Sequence, residues 1–279
     1  MENSAYTASF ARIYDEIMKS VPYKFWYDYI NEIMDYYQLK AEKVLDLACG
    51  TGNMSLLYAK NSYQVTGIDR SEEMLKIAGK KAREAGADIS FINADLCEFR
   101  TEEKYDLAIS LFDSLNYILD IDDLKKVFSN VYQALKEDGI FIFDVNTITR
   151  LMSINEGTTF FHGKDYTCIW EDTVDEKNKL WQVRLKIYFE KTGEYHEEFH
   201  QERGYKIDSI KNTLQEAGFQ HIDVYNAYTL TEASDDDDRV YFVVFKNKRP
   251  IKKKKTISKF FINLKWGIKR ILLSLRDLF

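Results

Sequence analysis

Apolar residues follow two textures along this 279-residue chain. Between residues 43 and 146, short apolar runs alternate with stretches whose apolar residues recur every three or four positions. Lys43–Leu47 and Tyr63–Asp69 read as buried strands, as do Ile89–Asn93, Tyr105–Leu111 and Ile140–Val145. Between them, Met54–Lys60 suits a helix. Met74, Leu75, Ala78, Ala82 and Ala85 mark a second helix, with Ser71 as its N-cap and Glu72 and Glu73 in its first turn. Asp122–Lys136 makes a third, striped by Leu124, Val127, Phe128, Val131 and Leu135. Such alternation predicts an α/β fold: a doubly wound parallel sheet with helices on both faces.

The flanks differ. Residues 4–37 read as helical, with aromatics at Tyr6, Phe10, Tyr14, Phe25, Trp26, Tyr29 and Tyr36. Residues 158–205 lack helical stripes, and Tyr166–Val174, Leu180–Glu190 and Tyr195–Tyr205 read as antiparallel strands joined by polar turns. Helical spacing returns at Ile210, Leu214 and Ala217, with Asp208 as N-cap and Gly218 as terminator. Phe219–Thr229 and Arg239–Lys246 are the last strands, separated by the acidic loop Asp235–Asp238. The expected organisation is a helical cap at 1–37, an α/β domain at 38–148 and 206–247, a β insertion at 149–205 that covers the pocket, and a tail at 248–279.

Composition narrows the class. With 45% hydrophobic and 30% charged residues the chain has the balance of a folded protein. Cys49, Cys97 and Cys168 are widely spaced, which argues against a disulfide framework or a zinc site and suits a reducing compartment. The polar N-terminus lacks a signal peptide's apolar core, and no run is long enough to span a bilayer. A cytoplasmic location is therefore expected, and no metal.

The net charge of -6 conceals two opposed parts. From Lys246 onward there are 12 Lys/Arg and one acid, Asp277; the preceding 245 residues carry 27 bases and 44 acids. An acidic body is ill suited to gripping phosphates, so no nucleic-acid partner is expected. In the tail, residues 248–256 form a basic linker. Apolar residues at 257, 260, 261, 264, 268, 271, 272, 275, 278 and 279 then form one helical stripe, with Lys265 and Trp266 towards its flanks. A basic amphipathic helix over 257–279 suits an anionic membrane surface at the inner face of the membrane; docking on the acidic body, or on a second subunit in a homodimer, is the competing reading.

Candidate chemistry concentrates after the first strand. The run Asp46-Leu47-Ala48-Cys49-Gly50-Thr51-Gly52 has two glycines that let backbone approach a ligand, at the carboxyl end of a strand where open α/β sheets bind ligands. Asp69 ends the next strand, where a carboxylate can accept bonds from both ribose hydroxyls; Arg70 follows it. Asp46 suits an ammonium or a bound water. After the third strand, Asp95 can accept a bond from an adenine amino group beside apolar Leu96. A nicotinamide-dependent oxidoreductase shares a Gly-x-Gly turn and a later acid, but its fingerprint wants a third small residue where this chain has Ser55.

The runs VLDLACGTGNMS (44–55), GIDRSEEML (67–75), NADLCEF (93–99), YDLAISLFDSLNYI (105–118) and GIFIFDVN (139–146) resemble class I S-adenosylmethionine-dependent methyltransferases. The likeness is strongest to the subgroup with a β insertion after the fifth strand, which includes amino-sugar N-methyltransferases and glycine N-methyltransferase. YxxxFARIYD (6–15) and HQERGYK (200–206) share in it. The resemblance implies a Rossmann-like seven-stranded sheet with its last strand antiparallel. It implies S-adenosylmethionine as cofactor, S-adenosylhomocysteine as product and a small-molecule methyl acceptor, with an amine favoured. It places Asp46, Gly50 and Gly52 at the methionine moiety, Asp69 at the ribose, and Asp95 and Leu96 at the adenine, with Ala48 and Arg70 also among the cofactor-binding residues. Phe112 and Asp113 would lie beside the cofactor, with Tyr6 and Tyr14 closing over it. An amine must arrive neutral, which makes His200, Tyr14 and Asp113 the candidate proton acceptors, His200 first because its ordinary pKa lies nearest neutrality. Glu202 and Arg203 are expected as a surface or lid ion pair, Asp113 alternatively as a turn cap. A non-catalytic, membrane-attached adaptor on the same fold is the remaining alternative.

Overall fold

A computed structural model describes residues 5–247, 259 and 262–269. The basic linker and stripe positions 257, 260, 261, 271, 272, 275, 278 and 279 lie outside the described residues. Seven strands make the central sheet: β1 (Lys43–Leu47), β2 (Gln64–Asp69), β3 (Ile89–Asn93), β4 (Tyr105–Ser110), β5 (Leu135–Asn146), β10 (His221–Asn226) and β11 (Arg239–Phe245). Their spatial order is β10-β11-β5-β4-β1-β2-β3. β1 to β5 run parallel, while β11 is antiparallel to both of its neighbours. This is the Rossmann-like sheet expected.

The order reverses at β1, which pairs with β2 on one side and β4 on the other, so a crevice opens beyond its carboxyl end. Successive strand residues serve opposite faces. Leu45 and Leu47 join one core with Phe128, Phe141 and Phe143, under α5 (Ile121–Ala134) and α7 (Ile207–Glu216). Val44 joins the other with Tyr29, Ile33 and Tyr58, under α2 (Tyr23–Tyr36) and α3 (Asn53–Lys60). Ser71 caps α4 (Glu72–Glu84) by accepting from the Met74 amide.

The N-terminal helical stretch is two helices. α1 (Ala8–Ile17) ends in a short 3-10 turn, and Pro22 separates it from α2. Proline lacks the amide a continuous helix needs and holds Val21 extended, at φ -62 and ψ 123. α7 begins at Ile207, so Asp208 lies inside its first turn and not at its N-cap, and Asp235 of the acidic loop accepts from the Ile207 amide at 2.8 Å.

The insertion follows α6 (Ile148–Met152) and is a four-stranded antiparallel sheet: β6 (Gly157–His162), β7 (Tyr166–Asp175), β8 (Leu180–Phe189) and β9 (Glu194–Arg203). β6 was not foreseen; it is an edge strand with little burial and hence little alternation to read. Val183, Leu185, Ile187 and Phe189, spaced by two along β8, pack with Cys168 onto Phe10, Ile13 and Tyr14 of α1. The insertion therefore covers α1, which in turn lies over the crevice.

The described stretch of the tail, 262–269, is helical and lies against α2. The contact is made by Trp266, expected on a flank, and not by the stripe. Trp266 is fully buried, while the stripe residues Leu264 and Ile268 are 50% and 52% exposed. Among the described residues no helix is long and apolar enough to cross a membrane.

Candidate functional site

β1 leads into a turn, Ala48–Gly52, whose residues Ala48 (φ 54), Gly50 (φ 53) and Gly52 (φ 75) are left-handed. At Gly50 the requirement is the dihedral alone. At Gly52 a Cβ would also lie 3.0 Å from that of Ala78 and 3.3 Å from the Phe91 ring. Gly52 thus seats the turn on α4 and β3, between Thr51 and Asn53, which line the cavity. Ala48 and Gly50 line it as well.

Asp69 accepts from the Gly50 and Ser71 amides, each at 2.8 Å, and lines the cavity with Arg70. Each carboxylate oxygen keeps a further lone pair for a ligand. Asp46 is buried beneath the turn, with Ser55 Oγ donating to it at 2.5 Å. Burial lifts its carboxyl to about 7, against the Ser55 bond and with the help of the Asp69 charge. Burial also raises Asp69, against its two amide bonds. Asp95 accepts from the Cys97 amide at 2.7 Å and lines the cavity beside Leu96.

The opposite wall is aromatic. Tyr6 and Tyr14 reach the cavity as expected, joined by Tyr23, Trp26 and Tyr117, which the sequence reading did not single out. Tyr6 packs 5.5 Å from Tyr117 and edge-on to Tyr14 at 6.2 Å; Trp26 lies 5.2 Å from Phe112. Burial pushes the phenols of Tyr6, Tyr14 and Tyr117 well above 10, so all three stay neutral and Tyr14 cannot serve as an anionic base. Tyr6 (φ 63) and Phe112 (φ 64) are left-handed without being glycine, as is Ala48, and all three line the cavity. Such strain needs support from elsewhere in the fold. For Phe112 it comes from Asp144 of β5, which accepts from the Phe112 amide at 2.8 Å and the Asp113 amide at 3.2 Å, and pairs with Arg239 of β11.

Asp113 is not brought to the cavity. Its carboxylate turns inward, accepting from Asn146 Nδ2 at 2.5 Å and lying 3.3 Å from Arg239, and it makes no side-chain cap. Glu202 joins that buried cluster through Asn146, whereas Arg203 donates to the Leu119 carbonyl at 2.7 Å. The expected Glu202–Arg203 pair does not form because neighbours on a strand point to opposite faces. Burial, then the adjacent Asp113 charge, raise Glu202 far above its usual range.

His200 is buried one layer behind the wall. Tyr6 and Phe10 meet its ring edge-on at 5.0 and 5.5 Å, and its Nδ1 lies 3.1 Å from the Tyr117 hydroxyl. Its Nδ1 thus meets the cavity wall at Tyr117, while its Nε2 lies 3.3 Å from Glu198.

Two clamps hold α1 over the crevice, and neither was foreseen. At the helix start, Glu198 of β9 accepts from the Thr7 amide at 3.2 Å, the Thr7 hydroxyl and the Phe10 amide at 3.3 Å. A carboxylate from a distant strand thus fills the place a capping box fills locally. At the helix end, Asp15 accepts from Thr51 (2.7 Å), Asn53 (3.0 Å) and Lys81 (2.7 Å). Partial burial works against the charge on Asp15, but these three partners outweigh it and hold its carboxyl low. The available signal was Asp15 itself, a lone acid within the aromatic FARIYD stretch.

Together these walls line one cleft that opens to solvent. Buried acids and a left-handed turn on one side suit a ligand with hydroxyls and a positive charge; neutral rings face them. The methyltransferase-domain profile matches residues 44–139, which span β1 to β4, the turn and α5. A protein of Geobacillus sp. (strain WCH70), classed by name as a methyltransferase, is 32% identical over 243 residues, covering 85% of this chain and 98% of its own. An S-adenosylmethionine-dependent methyltransferase from Clostridium acetobutylicum superimposes with a TM-score of 0.74 at 30% identity, covering 86% of this chain and 98% of its own. A glycine/sarcosine N-methyltransferase from Aphanothece halophytica is 27% identical over 202 residues, covering 71% of this chain and 74% of its own. These likenesses set aside the nicotinamide-dependent oxidoreductase. With a relative matched over almost its whole length and the strand-turn-acid arrangement in place, the chain belongs to the S-adenosylmethionine-dependent methyltransferases, enzymes that take their methyl group from that cofactor.

Proposed function

We propose that this methyltransferase N-methylates an amine carried on a small, uncharged, ring-bearing acceptor such as an amino sugar. The observation that carries the reading is the aromatic wall of Tyr6, Tyr14, Tyr23, Trp26 and Tyr117, facing the acids and supplying no charge of its own. Rings of this kind stack on a sugar or heterocycle and desolvate an amine. A zwitterionic acceptor such as glycine would need a cation for its carboxylate. Among the described residues that line the cavity Arg70 alone is one, and it adjoins the ribose acid Asp69. The Aphanothece relative supports an amine nucleophile in general; the wall argues for a different carrier.

The cofactor supplies an electrophilic methyl on a sulfonium. In this reading Asp69 accepts from the ribose hydroxyls, Asp95 and Leu96 hold the adenine, and Asp46 with the backbone of Ala48 and Gly50 takes the amino-acid end. Phe112, Arg70 and Tyr14 border it. Gly52 acts through packing. Holding the partners in line can lower the barrier by about 7–11 kcal/mol, so positioning dominates. The Tyr117 hydroxyl then passes the amine's proton to His200 Nδ1, which makes His200 a base acting through Tyr117. Asp113 positions Phe112 through Arg239 and is not a proton acceptor. Three cysteines without disulfide partners suit a reducing, cytoplasmic setting.

The test is a screen of amino sugars, glycine, sarcosine, catechols and carboxylic acids, followed by S-adenosylhomocysteine release. Turnover with ring-bearing amines at ten times or more the kcat/KM for glycine is expected. Turnover confined to oxygen acceptors, or glycine as the best acceptor, overturns the proposal.

A further inference from the structure

The tail helix has two usable faces, and only one is spent on the protein. Ile262 and Trp266 face α2, with Trp266 buried 4.9 Å from the Phe25 ring and 5.3 Å from that of Tyr29. Asn263 Oδ1 accepts from the Leu230 amide at 2.7 Å, Lys265 pairs with Glu32, and Lys269 lies over the Trp266 ring at 4.4 Å and 3.8 Å from Asp28 of α2. Leu264 and Ile268, four residues apart and so on one side of the helix, point away and stay half exposed.

In the sequence, apolar residues at 257, 260, 261, 271, 272, 275, 278 and 279 repeat in phase with Leu264 and Ile268 at 100° per residue. Ile262 and Trp266 are out of phase with them. The docked face is thus a separate one, and among the described residues docking leaves Leu264 and Ile268 uncovered. The stripe is set among cations: from Lys246 to Arg276 the sequence has 12 Lys/Arg and no acid.

We propose that this outward face binds an anionic lipid surface while Trp266 tethers it to the catalytic body, so that the enzyme works at a membrane without crossing it. A single-sided apolar stripe bordered by cations matches the boundary between headgroups and acyl chains. The tether sets the working distance: α2 carries Phe25 and Tyr29 against Trp266 and also carries Trp26 of the cavity wall. The tail helix and α2 thus stand between the lipid surface and the acceptor wall.

The full chain and a Leu264→Glu/Ile268→Glu variant, neither position touching the cavity, are sedimented with phosphatidylglycerol–phosphatidylcholine vesicles and with phosphatidylcholine vesicles alone. Strong binding to the anionic vesicles is expected, at least about tenfold weaker in the variant and on neutral lipid. An unchanged near-ultraviolet spectrum and cofactor affinity show that the variant is folded. Equal binding of both chains overturns the proposal. So does a concentration-dependent dimer, lost in the variant and unaffected by lipid, which assigns the face to a second copy. The readout needs no acceptor, so its failure leaves the proposed reaction untouched.

Discussion

The floor and the wall of the cavity are assembled in different ways. Residues 46–69 supply most of the floor: a strand, a left-handed turn and the acid that accepts from the Gly50 amide and braces that turn. The wall draws Tyr6 and Tyr14 from α1, Trp26 from α2 and Tyr117 from the turn after β4, and depends on Glu198 and His200 from β9. A local floor can be formed by short-range geometry alone. A wall gathered from so many segments stands only when the insertion has docked. This predicts that floor changes act on the cofactor and wall changes on the acceptor.

The largest effect belongs to the floor. Asp69→Ala removes both the ribose acceptors and the brace on the Gly50 amide. Hydrogen bonds to a charged group contribute about 1.5–3 kcal/mol each, so cofactor affinity measured by calorimetry should fall about a hundredfold or more. A change of threefold or less would break the contrast at its root.

On the wall, Glu198→Ala leaves the start of α1 without its acceptor. Stability to urea should fall by about 2–3 kcal/mol, because buried donors go unpaired. Glu198→Gln, which keeps an acceptor oxygen, should recover most of that. The contrast is sharpened if KM for the acceptor rises while cofactor affinity stays within about threefold; a parallel loss of both would mean the two halves act as one.

The smallest effect is a pH dependence. With its carboxyl near 7, Asp46 is mostly neutral at pH 6 and mostly charged at pH 8. A cationic ligand favours the charged form, so affinity should rise about tenfold over that interval with proton release on binding, and Asp46→Asn should flatten the curve. For the unliganded fold the sign reverses. The native carboxyl sits above its unfolded value, so its contribution is fully present below about pH 4 and is lost as pH rises towards 7. Titration calorimetry in buffers of different ionisation heat measures the proton count.

This division also explains what could be read from the chain. The central sheet announced itself through runs such as VLDL and FIFDV, where burial on both faces leaves no polar alternation. Asp46, Gly50 and Asp69 were legible because turn chemistry and strand ends are local. His200 was identified as chemically apt, but its depth behind Tyr6 and Tyr117 depends on contacts made across the chain. Asp113 was misread for a related reason: Arg239 and Asn146, which turn it inward, arrive from two other strands. Trp266 was placed on a flank because periodicity finds the most continuous apolar face, whereas a single large ring suffices to anchor a helix against aromatic neighbours.

The Glu198 clamp has a consequence for biosynthesis. Its donors, Thr7 and Phe10, leave the ribosome about 190 residues before their acceptor does. Until the fourth strand of the insertion has been translated, α1 has nothing to hold its first turn in place. Nascent chains therefore complete the nucleotide-facing turn first and gain their lid late, so a truncation before residue 198 should give a protein open on that side.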